Sequence, residues 1–183
     1  LNFPVQPHAC LEVVRGRVPV HQLSQLPTQD QSAPFLHTRD LGSLVGRVET
    51  NAQAPARLAT KGPFVTVPRV GRALEGHIKI VSSPESVVLS DCIFALRSAD
   101  GTDLTSVRMS LLADLGSLQA EYVGGCAPYL TIRRLVDYLS ARGFCCHHVP
   151  ASSEPGQGLH LAGSRCGGRP RMEVQASRDS ASG

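Results

Sequence analysis

The chain is poor in aromatic side chains. It has no tryptophan, and Phe and Tyr together make up only 4% of its residues. Few rings are left for base stacking once a core has taken its share. Lysine is almost missing as well. Lys61 and Lys79 are its only two, so 16 of the 18 basic residues are arginine. Charged residues make up 18%, below the ~25% usual in globular domains, which argues against a disordered polyampholyte or a long coiled coil. No apolar run approaches the ~18 residues needed to span a membrane. The longest, Val87 to Leu96, is interrupted by Ser90 and Asp91. There is no Asn-x-Ser/Thr sequon around Asn2 or Asn51, and no apolar h-region follows Leu1, so no uncleaved signal peptide is expected. The net charge of +3 is too small to imply nucleic-acid binding by itself.

What is present is more suggestive. A chain of 183 residues fits one domain by the prior of roughly 100–200 residues each. Arginine makes bidentate, permanently charged contacts to phosphate and carboxylate; a GC-rich coding bias would produce the same excess without any such role. The six cysteines are Cys10, Cys92, Cys126, Cys145, Cys146 and Cys166. Disulfide-dense secreted scaffolds are usually shorter, and a bridge between the adjacent Cys145 and Cys146 would be strained. A reducing compartment is therefore expected, the cytoplasm or an organelle matrix such as the mitochondrial one.

Three regions follow from composition and periodicity. Residues 1–75 carry recurrent prolines, which fix φ and remove a donor, so an extended Pro-rich region with short strands is expected. Leu11–Val14, Leu44–Val48 and Phe64–Val67 are its candidate strands. Residues 76–150 are expected to form an α+β core domain. Its strands would be His77–Val81, Val87–Leu96 (one long strand, or two around a bulge at Ser90-Asp91) and Thr105–Leu111. The third alternates Val107, Met109 and Leu111 against polar residues, and Asp100-Gly101 supplies a hairpin signal. A weak helix is expected over Ala113–Tyr122 and a stronger amphipathic one over Pro128–Arg142, stopped by Gly143. Phe144–Val149 would return as a strand. Residues 151–183 read as a flexible Arg/Gly/Ser-rich tail. The fold class expected is thus a small antiparallel meander packed on one main helix, flanked by an extended N-terminal region and a mobile tail. The run Leu135–Phe144, with Gly156-Gln157-Gly158-Leu159 beyond it, resembles the closing helix and strand of the GTP cyclohydrolase feedback regulatory protein family. The resemblance is confined to that segment and carries no site residue.

No nucleophile elbow, His-Glu-x-x-His or Walker loop occurs, so no catalytic residue, cofactor or enzyme activity is assigned. Cys145-Cys146-His147-His148 contains the only metal candidates. Alternation on a strand lets Cys145 join His147, or Cys146 join His148, at one ion. Further ligands would have to come from elsewhere, for example Cys126, His160 or Cys166; the bland reading is buried cysteines beside solvated histidines. Arg15, Arg17, Arg165, Arg169 and Arg171 fall in expected loops and are candidate phosphate contacts. The function expected is a non-catalytic accessory or scaffolding subunit of a larger multiprotein assembly. The alternative is an RNA-contacting, ribosome-associated protein with arginines on phosphates, and a zinc- or cysteine-dependent enzyme comes third. Expected partners are other protein subunits and RNA.

Overall fold

The computed structural model describes residues 10–26, 31–44, 48, 50–82 and 86–149. The described residues belong to one compact unit, Leu1–Ser153. The expected tail, 151–183, and most of the Leu44–Val48 segment lie outside them.

The elements follow burial pattern. In β1 (Cys10–Arg15), Leu11 and Val13 are buried while Glu12 and Val14 are half-buried, the period of two that one covered face produces. β5 (Phe64–Pro68) is buried along its whole length, and so are the first four residues of β8 (Ile93–Ser98). A strand buried on both faces reads as a continuous apolar run, as Ile93–Leu96 does. Two short strands, β6 (Ile80–Val81) and β9 (Cys145–His148), complete a five-stranded sheet of order β6-β5-β8-β1-β9. It is antiparallel except for the parallel pair β1–β9. A second sheet contains β2 (Ser32–Leu36), β3 (Gln53–Pro55), β4 (Thr60–Lys61) and β7 (Ser86–Leu89), in the order β3-β2-β7-β4.

Two apolar layers result. On one face of the large sheet, Leu11, Val13, Val65, Val67, Phe94 and Leu96 meet three helices. These are α1 (Leu104–Ala113), α2 (Leu115–Ala120) and α3 (Ile132–Ser140). They contribute Leu104, Val107, Leu111, Leu118, Leu135, Tyr138 and Leu139. On the other face, Phe64, Val81, Ile93 and Ala95 join Leu36, Val87 and Leu89 of the second sheet. The one polar side chain buried within β5, Thr66, is satisfied: its hydroxyl donates to the His77 carbonyl at 2.8 Å and accepts from the Lys79 N–H at 3.0 Å.

These findings correct the expected fold class. The described residues form two sheets with nine strands, and no single helix dominates. One error was of period. Thr105–Leu111 is helical, not the third strand of a meander, because its buried residues are Leu104, Val107 and Leu111, a helical stripe that alternation mimics over seven residues. The Asp103 carboxylate caps that helix by accepting from the Thr105 and Ser106 N–H groups. Asp100-Gly101, with Gly101 at φ +85°, leads into this helix and not into a hairpin. Prolines of residues 1–75 are accommodated within short strands. Pro55 and Pro68 close their strands, and Pro34 lies where β2 changes partner from β3 to β7, so the missing N–H breaks little pairing. The segment around Ser90-Asp91 is a turn between strands of different sheets. The helix expected over Pro128–Arg142 forms over Ile132–Ser140, followed by Gly143 at φ +87°.

Two substitutions measure the helical layer. Leu139 is fully buried against the large sheet, so Leu139→Ala should lower stability by about 2–5 kcal/mol in urea denaturation. Thr131 accepts from the Arg134 N–H at the start of α3, and Thr131→Ala should cost about 1 kcal/mol in the same measurement. A pH titration checks the loop after β8. Asp100 accepts from the Thr102 hydroxyl and from the Cys10 and Thr102 N–H groups, which hold its pKa down to about 2. Its ionised form is favoured in the folded state. The stabilisation it gives is present above the ordinary carboxylate range and is lost as pH falls toward 2. A carboxyl NMR titration of Asp100 should show its midpoint there.

Candidate functional site

One end of the large sheet gathers arginines from distant parts of the sequence. β1 ends at Arg15, paired with Phe94 of β8. The chain then crosses onto the second sheet: Gly16 N–H donates to the Ile93 carbonyl at 3.0 Å, and Arg17 N–H donates to the Leu89 carbonyl at 3.2 Å. Val18 bridges Ser90, whose side chain is fully buried. Gly16 is required here by space. A Cβ at this position would lie 1.8 Å from the Ser90 carbonyl oxygen, so no side chain fits between the two arginines.

Arg69 reaches the same turn from β5. Its N–H donates to the Cys92 carbonyl at 2.7 Å and its guanidinium to the Asp91 carbonyl at 3.3 Å. The Arg69 carbonyl in turn accepts from Leu130 N–H, and Gly71 N–H donates to the Pro128 carbonyl. These bonds hold the 69–72 segment against the loop that carries Tyr129, which bridges Val70 and is 41% exposed. Arg72 follows, exposed, beyond Gly71. Arg15, Arg17 and Arg69 thus lie on segments anchored at one turn, and Arg72 and the exposed Tyr129 lie on segments bonded beside Arg69.

Ion pairs hold five of the arginines elsewhere on the surface: Arg39 with Asp40, Arg97 with Glu12, Arg133 with Asp137, Arg134 with Glu121 and Arg142 with Asp114, while the Arg108 guanidinium donates to the Ile78 carbonyl at 2.8 Å. Among the described residues, Arg15, Arg17, Arg69 and Arg72 enter no ion pair. Cys92 lies inside the turn. Burial first, then the Asp91 carboxylate, pushes its thiol pKa up, while Arg69 and Arg15 both act to lower it. Two guanidinium groups are therefore felt at one sulfur, which stays a thiol and is not an activated nucleophile. His37, after β2, is held below the ordinary histidine range by burial and is neutral at pH 7.

Of the phosphate contacts expected from sequence, Arg15 and Arg17 are at this end; Arg165, Arg169 and Arg171 lie outside the described residues. Arg69 and Arg72 are the members that loop chemistry alone did not single out as phosphate contacts. Their spacing was visible, but their position beside Arg15 depends on β5 and β1 flanking β8.

The cysteine–histidine run lies on β9. Alternation separates its two candidate pairs. Cys146 packs against the helix-side core, and its pKa is pushed up to about 12, chiefly by burial. His148 is exposed. Cys145 and His147 share the opposite face, with Cys145 Sγ 3.6 Å from His147 Nε2. Cys10, directly opposite Cys145 on β1, brings a third candidate ligand atom within 4.8 Å of the other two. Cys10 was not among the candidates read from sequence, because only the parallel pairing of β1 with β9 puts residues 10 and 145 side by side. Cys126 lies in the loop between α2 and α3, outside this cluster. His160 and Cys166 lie outside the described residues.

No protein-family model matches the chain, and no curated protein matches it. Among solved structures, it is similar to a type-I restriction-modification system S subunit from M. genitalium, at 12% identity and a TM-score of 0.45. That alignment covers 74% of this chain and 34% of the other, so the chain spans about a third of that protein.

Proposed function

We propose that this chain is a non-catalytic binding module that grips a nucleic-acid backbone with the arginine-bearing end of its large sheet. One observation carries the reading: Arg15, Arg17, Arg69 and Arg72, at or just beyond the ends of two strands far apart in sequence, lie around and beside one turn and, among the described residues, form no ion pair. Guanidinium groups supply planar, permanently charged donors that match phosphate oxygens. Tyr129, bridged to Val70, adds an exposed ring on which a base can stack. The backbone hydrogen bonds that fix each segment reduce the ordering cost of binding.

Membership in a larger assembly belongs to the same reading. No helix among the described residues is long and apolar enough to cross a membrane. A reducing compartment, cytoplasm or organelle matrix, completes the proposal, since nucleic-acid ligands are found there and thiols persist.

Fluorescence anisotropy with labelled single-stranded RNA and duplex DNA tests the proposal. Affinity should fall steeply as salt rises. Each of Arg15→Ala, Arg17→Ala and Arg69→Ala should weaken binding and lower the slope of log K against log salt by about 0.7–0.9. Affinity that is indifferent to salt, or unchanged in the triple variant, defeats the reading. RNA and DNA present the same phosphate chemistry, and the parallel titrations tell which is preferred.

Gly16→Ala should act differently. Its methyl group collides with the Ser90 carbonyl, so the crossing must open, at a cost of about 1–3 kcal/mol in stability. Binding should weaken although no charge has been removed. Denaturation and anisotropy on the same preparation check both effects.

A further inference from the structure

We propose that Cys10, Cys145 and His147 form a binding site for one zinc ion, spanning β1 and β9. The proposal is independent of the nucleic-acid reading and rests on a different part of the large sheet.

Strand geometry assembles the ligands. Cys10 and Cys145 occupy the same level of neighbouring parallel strands. His147 stands two residues beyond Cys145, so alternation returns its ring to the same face. One ligand atom from each residue lies within 4.8 Å of the others, and the Cys145 sulfur is 3.6 Å from His147 Nε2. Zn–S and Zn–N bonds of about 2.3 and 2.0–2.1 Å at a tetrahedral angle require an S···N edge of about 3.6 Å. The observed separation is already that edge. Cys10 offers its sulfur within 4.8 Å of both other ligand atoms, against an S···S edge of about 3.8 Å implied by the same bond length.

Donor chemistry selects the ion. Two sulfurs and an imidazole suit zinc, whereas calcium and magnesium prefer oxygen ligands. On binding, each thiol releases its proton to solvent and the thiolate forms a bond to the metal, while His147 binds through the lone pair of a neutral Nε2. No electron is transferred. A fourth position remains for water or an outside donor, as in three-ligand zinc sites. Cys10 is steadied from behind, since its N–H donates to the Asp100 carboxylate at 2.9 Å. The ion would fasten β9, a four-residue strand at the end of the strand order, to β1.

The test uses the full chain, purified under reductant and stripped by a chelator. Zinc titration against a chromophoric competitor should give one ion per chain, with affinity rising as pH rises because protons are displaced. Cobalt in place of zinc should show thiolate charge transfer in the near ultraviolet and the visible bands of a tetrahedral ion. His147 is exposed, so His147→Ala should leave the circular dichroism spectrum intact while weakening zinc binding by more than about tenfold, since even losing a partner that orients a ligand costs 10–100-fold. Cys145→Ser should behave alike. His148→Ala, on the opposite side of the strand, should leave affinity unchanged. The absence of a cobalt–thiolate band, or equal losses in His148→Ala and His147→Ala, overturns the site. A Cys10–Cys145 disulfide recovered from freshly alkylated extracts, in protein that contains no zinc, also overturns it.

Discussion

The turn at Ser90–Cys92 joins the two sheets, and much of the structure is arranged around it. β7 and β8 follow one another in sequence but belong to different sheets. The chain changes sheet within three residues, and the buried polar groups of that corner must find partners. Ser90 N–H donates to the Leu36 carbonyl, Ile93 N–H to the Ser90 carbonyl, and Asp91 N–H to the Val18 carbonyl. These bonds bring in β2 and the segment after β1. Gly16 allows the crossing because it has no Cβ, and the arginines beside it are displayed by the same contacts.

β8 follows from this corner. Phe94 and Leu96 face the helices, while Ile93 and Ala95 face the second sheet. A strand shared by two apolar layers ties them together, since shifting its register by one residue would exchange its two sets of side chains. The helices close one layer and the second sheet closes the other. Buried Cys92 and Cys146 are held as thiols by burial above all. The arginine end and the Cys10–Cys145–His147 face are displays of side chains carried by the strands of the large sheet and the segments that leave them.

Some of this was legible in the sequence. Leu11–Val14, Phe64–Val67 and Cys92–Leu96 announce strands through β-branched and apolar runs, and Leu135, Leu139 and Gly143 announce α3 and its end. Thr105–Leu111 misled because a short amphipathic helix and a strand share alternate positions over seven residues, and Asp103, the capping residue that decides between them, also reads as a turn residue. The exact place of each proline was not legible, because its cost depends on whether an N–H is needed at that place in the ladder, which local sequence does not reveal.

The candidate sites divide along the same line. The sequence by itself determined that arginine is the basic residue of this chain, that Arg15 and Arg17 flank a glycine, and that Cys145 and His147 share a strand face. Those are local properties, fixed by composition and by the two-residue period. Only the tertiary structure decided that Arg69 joins Arg15 around Cys92, and that Cys10 stands opposite Cys145. Both juxtapositions depend on the strand order β6-β5-β8-β1-β9. That order is chosen by the burial of β5 and β8 on both faces and by the parallel return of β9, where energy is summed over the whole core and no local spacing records it.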